Sequence, residues 1–168
     1  MNKWLVTGGA GFIGTNLVLR LLDDGDEVVV IDDLSREGSK DNWDLLQIKS
    51  YCSLHCLDIS NQENIDGLLK SISGIDYIVH LAGQVSLLSS IENPLGDFHG
   101  NAAGTIYLLE AVRNYHPGAR FIFSSTNKVY GDLGDQQILE TDTKYVATDF
   151  PYGMPTDLKL DFHGGYGC

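Results

Sequence analysis

The chain has 168 residues, enough for one domain with a real core, and its 43% hydrophobic and 20% charged residues suit a globular protein. A net charge of −12 argues against a general nucleic-acid or anionic-membrane surface, which needs basic patches, but leaves room for an anionic ligand held by helix N-termini and a few local cations. No apolar run is long enough to span a membrane, and Met1-Asn2-Lys3 followed by three apolar residues does not read as a secretory leader.

Trp4-Leu5-Val6 reads as a first strand. It leads into Thr7-Gly8-Gly9-Ala10-Gly11-Phe12-Ile13-Gly14 and then into Phe12-Ile13, Leu17-Val18 and Leu21-Leu22, apolar pairs at helical spacing. Strand, glycine turn and helix form the context of a dinucleotide-binding fingerprint. In that reading Gly8 makes the tight turn and Gly11 lets the backbone approach a pyrophosphate. Gly14 lets the helix pack closely, and the helix N-terminus offers N–H groups to the phosphates. The competing reading is a glycine-rich turn without a ligand.

Gly25 suits the end of the first helix. Glu27-Val28-Val29-Val30-Ile31-Asp32 follows, a β-branched strand of the kind buried on both faces. Asp32 lies 18 residues past Gly14, where an acid is expected to bind the adenosine ribose hydroxyls. A carboxylate there favours NAD over NADP, and Arg36 nearby softens that preference. Trp43 and Leu45-Leu46 suggest a short helix. Residues 51–59 read as a third strand leading into Asp58, near where an adenine ring is flanked. Ser60 and Glu63 are spaced as a capping box, ahead of an apolar face of Ile65, Leu68 and Leu69.

Residues 77–83 form a fourth strand ending in small residues, which leave room for a cofactor. His80 reads as a partly buried strand residue, with no carboxylate partner near it in sequence. Pro94 opens a long helical region with Ala102, Ile106, Leu109 and Val112 at helical spacing, ended by His116-Pro117-Gly118. Phe121-Ile122-Phe123 is a fifth strand running into Ser124-Ser125-Thr126. The alternation predicts an α/β fold of Rossmann type: a doubly wound parallel sheet with helices on both faces. Residues 1–130 are the expected NAD-binding core. Residues 131–168 read as an acidic loop excursion with weak periodicity. Cys52, Cys56 and Cys168 fit no zinc spacing. Free thiols in a reducing cytoplasm are expected, with no metal site.

The glycine turn, His80-Leu81-Ala82-Gly83, Asn101-Ala102-Ala103-Gly104-Thr105 and residues 123–132 together resemble the extended short-chain dehydrogenase/reductase family. Within it they are similar to NAD-dependent sugar-nucleotide epimerases and dehydratases. The resemblance implies a cofactor set of Gly8, Gly11, Phe12, Ile13, Gly14, Asp32, Asp33, Ser35, Asp58, Ile59, Leu81, Ala82, Gly83, Asn101 and Ser124. It also implies a hydroxyl just after the fifth strand, Thr126, and a catalytic tyrosine, Tyr166. A nearby ammonium and the positive nicotinamide favour tyrosinate, so Tyr166 is suited to take a proton from a sugar hydroxyl while hydride passes to NAD.

The dehydratases place an Asp-Glu pair after the Ser/Thr, where this chain has Asn127-Lys128. Residues 126–132, with Leu160-Asp161-Phe162-His163, most resemble the CDP-paratose (CDP-tyvelose) 2-epimerases. The implied partner is a nucleotide sugar; members of the family commonly dimerise through helices near the long fourth one and the tyrosine helix, and the sequence leaves the oligomeric state open. The family's lysine, four residues after the tyrosine, falls beyond Cys168, and Gly164-Gly165 stand where related epimerases have serine and proline. The chain therefore reads as an N-terminal portion, expected to have little or no turnover alone. Three other readings stay open: a UDP-sugar 4-epimerase, a net dehydrogenase or reductase, and a non-catalytic dinucleotide-binding module.

Overall fold

The structure, a computed structural model, describes residues 1–125 and 137–150. It divides into two units, Met1–Ser124 and Ser125–Cys168. In the first unit the elements are β1 (Lys3–Thr7), α1 (Phe12–Asp23), β2 (Glu27–Asp32), α2 (Ser39–Gln47), β3 (Cys52–Cys56), α3 (Gln62–Ser71) and β4 (Tyr77–His80). Then come α4 (Leu87–Glu92), α5 (Pro94–Phe98), a π-helical turn (His99–Ala103), α6 (Gly104–Tyr115) and β5 (Arg120–Phe123).

The five strands form one parallel sheet in the order β3-β2-β1-β4-β5, as the alternating pattern predicts. The chain moves outward from β1 to β3, then crosses back past β1 to β4 and β5. A right-handed crossover puts its helix on one face when the chain moves one way and on the other when it reverses. The core shows this. Leu5, Val29, Ile31 and Ile78 pack with α3 and α6 on one face, whereas Val6, Val28, Val30 and Val79 pack with α1 and α2 on the other. Successive residues of each central strand therefore serve opposite layers, which is why Val28–Ile31 are all buried.

Several local expectations are corrected. β3 is shorter than residues 51–59, spanning Cys52–Cys56. Asn61, not Ser60, caps α3: its side chain accepts from the Asn64 N–H, while the Ser60 N–H is held by Asp58. α4 was not legible as a helix. The inward face of α6 is formed by Gly104, Leu108, Ala111 and Val112. Of the expected face only Val112 is inward: Ala102 is exposed, and so are Ile106 and Leu109. The helix carries two apolar stripes, and the small Gly104 and Ala111 let the second approach the sheet. On α1, Phe12 and Ile13 are likewise exposed, and Val18 and Leu21 are buried.

In the second unit β6 (Ile138–Glu140) and β7 (Tyr145–Ala147) form an antiparallel hairpin, where the sequence reads as loop. No helix among the described residues is long and apolar enough to cross a membrane. Cys52 and Cys56 are free; burial raises the Cys52 thiol to about 11, which makes it a poor nucleophile.

Substitution tests the assignment of α6. Leu108→Ala should cost about 2–5 kcal/mol in urea denaturation, because it empties a fully buried site. Ile106→Ala should stay within about 0.5 kcal/mol in the isolated chain. Equal losses at the two positions would mean that the helix faces are assigned wrongly.

Candidate functional site

The glycine turn lies where the strand order reverses between β1 and β4, at the C-terminal ends of the strands. Open α/β sheets bind ligands in the crevice at that point. Gly8 has φ +70°, and a Cβ there would lie 2.7 Å from the Ala82 nitrogen. Its own N–H donates to the Ile31 carbonyl at 2.8 Å. Gly8 thus makes the turn and also touches the ends of both neighbours of β1. At Gly9 a Cβ would meet the Val30 side chain, and at Gly14 the backbone of Gly8 and Gly9. Gly11 is different: a Cβ would meet only the Gly8 carbonyl oxygen, at 3.2 Å. Space beyond Gly11 is open.

Helix α1 starts without a side-chain cap. Thr15 N–H makes the first bond, to the Gly11 carbonyl at 2.9 Å. The N–H groups of Phe12, Ile13 and Gly14 have no acceptor among the described residues. Three orphan donors at the positive end of a twelve-residue helix, beside an open glycine, fit a pyrophosphate.

Asp32 is buried, and both its carboxylate oxygens are engaged. Oδ2 accepts from Ala10 N–H and Oδ1 from Leu34 N–H, each at 2.9 Å. Asp32 therefore ties the glycine turn to the end of β2, and each oxygen retains a lone pair for a further donor. The adjoining Asp33 is exposed, with one oxygen taken by the Ser35 N–H and hydroxyl. Asn42 Nδ2 donates to the Ala10 carbonyl at 2.8 Å, and the buried Thr15 hydroxyl donates to the Gly9 carbonyl. These two supports of the turn were missed from sequence. A polar residue on the buried face of α1 was the signal for Thr15; nothing pointed to Asn42.

Asp58 is exposed beyond β3, and Ile59 is buried against Gly104. Leu81, Ala82 and Gly83 follow β4, and the Ser124 N–H continues the β5 pairing onto the His80 carbonyl at 3.2 Å. Asn101 sits in the π turn. It accepts the Gln84 N–H at 2.8 Å and donates to Asp97 at 3.1 Å. Thr126 and Tyr166 lie outside the described residues.

His80 is buried more deeply than its sequence suggests. Its Nδ1 is 2.6 Å from the Thr7 hydroxyl, and its Nε2 is 2.9 Å from the Thr105 hydroxyl. Thr105 gives its proton to the Asn101 carbonyl, so it must accept from Nε2–H. Burial pushes the imidazole down to about 4, leaving Nδ1 unprotonated to accept from Thr7. Thr7 in turn accepts the Ala82 N–H at 3.2 Å.

Comparison with known proteins finds relatives that share this fold. A family profile for GDP-mannose 4,6 dehydratase matches residues 5–155. The CDP-paratose 2-epimerase of Salmonella typhi is 45% identical over 99% of this chain and 49% of its own length. A dTDP-glucose 4,6-dehydratase of Xanthomonas campestris is 34% identical over 99% of the chain and 50% of its own length. Among solved structures, the UDP-glucose 4-epimerase of Thermus thermophilus in complex with NAD matches with a TM-score of 0.70 at 33% identity, over 82% of this chain and 42% of that one. The chain spans about half the length of the curated relatives it matches.

The low-lying imidazole has a consequence for stability. Unfolded His80 takes up a proton near pH 6.5, folded His80 only near pH 4. The unfolded state therefore binds more protons between these values, so stability is full above about pH 6.5 and falls toward pH 4. His80→Gln cannot titrate. Between pH 7 and 4.5 the native protein should lose about 2 kcal/mol more than this variant in urea denaturation. Parallel losses would show that His80 does not titrate in that window.

Proposed function

The chain belongs to the extended short-chain dehydrogenase/reductase family, with the GDP-mannose 4,6-dehydratases, and on that premise we propose that it is the NAD-binding portion of a nucleotide-sugar 2-epimerase. One observation carries the cofactor assignment: the open glycine turn, clamped by Asp32, with three N–H groups at the head of α1 that have no acceptor among the described residues. Gly8, Gly11, Phe12, Ile13 and Gly14 would hold the pyrophosphate. Asp32 and Asp33 would receive the adenosine ribose, with Ser35 beside them. Asp58 and Ile59 would flank the adenine, and residues 81–83, Asn101 and Ser124 would face the nicotinamide half. The paired carboxylates favour NAD, since an added ribose phosphate would face them directly.

Bound NAD supplies a hydride acceptor and, later, the donor. Tyr166 would take the proton of a ring hydroxyl as the carbon beneath it is oxidised, and Thr126 would hydrogen-bond the same oxygen. Tyr166 would return that proton once the keto-sugar had presented its other face, with Thr126 still bonded to the same oxygen. Asn127-Lys128 support epimerisation over dehydration, because they replace the acid-base pair that removes water. The 45% identity to a CDP-paratose 2-epimerase favours a CDP-sugar.

Copies are proposed to associate through the exposed stripe of Leu95, Phe98, Ile106 and Leu109. Within this reading the native protein is a cytoplasmic enzyme, residues 1–130 form its cofactor core, and residues 131–168 lead to the tyrosine.

The test is direct. The intact natural protein, incubated with CDP-paratose, should invert carbon 2 in proton NMR without net NADH. Stoichiometric NADH would favour a dehydrogenase instead; NAD binding without sugar turnover would favour a non-catalytic module. Asp32→Ala should weaken NAD binding at least roughly tenfold by calorimetry, since it orphans two backbone N–H groups and loosens the turn. Ile106→Glu should shift the sedimentation of the protein toward monomer if the stripe is an interface; an unchanged profile would refute that role.

A further inference from the structure

Resting on the dinucleotide-site reading above, we propose that His80 is a positioning residue: held between Thr7 and Thr105, it fixes the π turn and so keeps Asn101 against the loop after β4. Hydrogen bonds run in one direction through it. Ala82 N–H donates to Thr7, Thr7 to His80 Nδ1, His80 Nε2–H to Thr105, and Thr105 to the Asn101 carbonyl. Every member uses its one hydroxyl or ring proton, so the chain has a single sense.

The ring has little freedom to leave this line. It is 1% exposed and lies against Phe121 and Phe123, with centroids 6.0 and 5.7 Å away. Among the described residues its hydrogen-bond partners are the two threonine hydroxyls, and no charged group bonds to it. The network closes on the crevice from both sides. At one end Thr7 precedes Gly8, which touches Leu81 and Ala82. At the other, Asn101 holds the Gln84 N–H and lies close to Gly83, where a Cβ would be 3.0 Å from its Oδ1. Gln84 Oε1 then accepts the Ser86 N–H.

The π turn needs such a brace. Its hydrogen bonds reach five residues on, as from Gly104 N–H to the His99 carbonyl, and its geometry is less favourable than that of an α-helix. The Thr105 hydroxyl adds a bond to the Asn101 carbonyl within that turn, and His80 decides where this hydroxyl points. With His80 gone, Thr105 rotates, Asn101 loses its fixed backbone, and the Gln84 clamp loosens. Residues 81–84 then no longer hold a set distance from the glycine turn.

The experiment compares His80→Phe, which keeps the ring without its nitrogens, with His80→Gln, which restores an acceptor and a donor. Thr105→Val, close in shape to the native residue, serves if the first variant does not fold. Ligand-free amide exchange is followed by NMR, and NAD affinity by calorimetry. In His80→Phe the Gln84 amide should exchange roughly fivefold faster, and NAD should bind roughly fivefold more weakly, as for one lost hydrogen bond. The core amide of Val29 should be unchanged, and His80→Gln should recover most of both effects. Unchanged Gln84 exchange, equal acceleration at Val29, or a faster Gln84 amide with unaltered NAD affinity would each overturn the proposal. If the native protein binds no NAD, the dinucleotide reading fails by itself, while Gln84 exchange still judges the wiring from His80 to Asn101.

Discussion

The backbone of Gly8 runs so close to the Leu81–Ala82 peptide that no side chain fits between them. The same residue donates to Ile31 on the other side. One glycine therefore joins the ends of the three central strands, β2, β1 and β4. That closeness makes the crevice narrow enough for a backbone to meet a ligand directly. It also places the head of α1 over the opening rather than beside it. Gly9 and Gly14 keep the helix tight on the turn; Gly11 alone faces space. Asp32 completes the arrangement by holding Ala10 with a carboxylate, so the turn is tied at its middle as well as at its start.

Features written in single residues were legible from sequence. A left-handed turn demands glycine, and a strand buried on both faces demands β-branched residues, so residues 8–14 and 27–32 declared themselves. The face of α6 did not. Ala102, Ile106 and Leu109 keep helical spacing as faithfully as Leu108, Ala111 and Val112 do, and periodicity cannot say which stripe meets the sheet. The role of His80 was hidden for another reason. Its partners lie 73 residues before and 25 residues after it, and both are threonines, which carry no motif. The hairpin at 138–147 was masked by surrounding acids and by strands only three residues long. Thr126 and Tyr166 rest on family resemblance throughout.

The relatives divide between epimerases and dehydratases, yet their likeness to this chain covers nearly all of it. That is what a shared cofactor half should look like. Binding a dinucleotide constrains the turn, the acid after β2 and the floor of the crevice, whatever happens to the sugar. In the epimerase reading proposed above, the chemistries would part just after β5. Loss of water needs one group to protonate the departing hydroxyl and another to take the carbon-bound proton. An amide at 127 performs neither task. Epimerisation needs only the hydride relay and one tyrosine, so it is compatible with this pair.

The charge of the chain makes the same site more informative. At −12 overall, and with Asp32, Asp33 and Asp58 all at the strand ends, the chain has no net positive charge to draw in an anionic ligand. If the site holds a dinucleotide as proposed, its phosphates would be met by dipoles: the N–H groups of Phe12, Ile13 and Gly14 and the head of α1. Dipoles act only at short range and only when held in place, whereas a lysine can reach and adjust. In that reading the supports of the turn, Asp32, Asn42 and Thr15 around it and Thr7 and His80 beneath it, would hold those dipoles in place. Binding by oriented backbone makes the precision of the scaffold itself the source of affinity, so a residue that never touches the ligand can govern how well it is held.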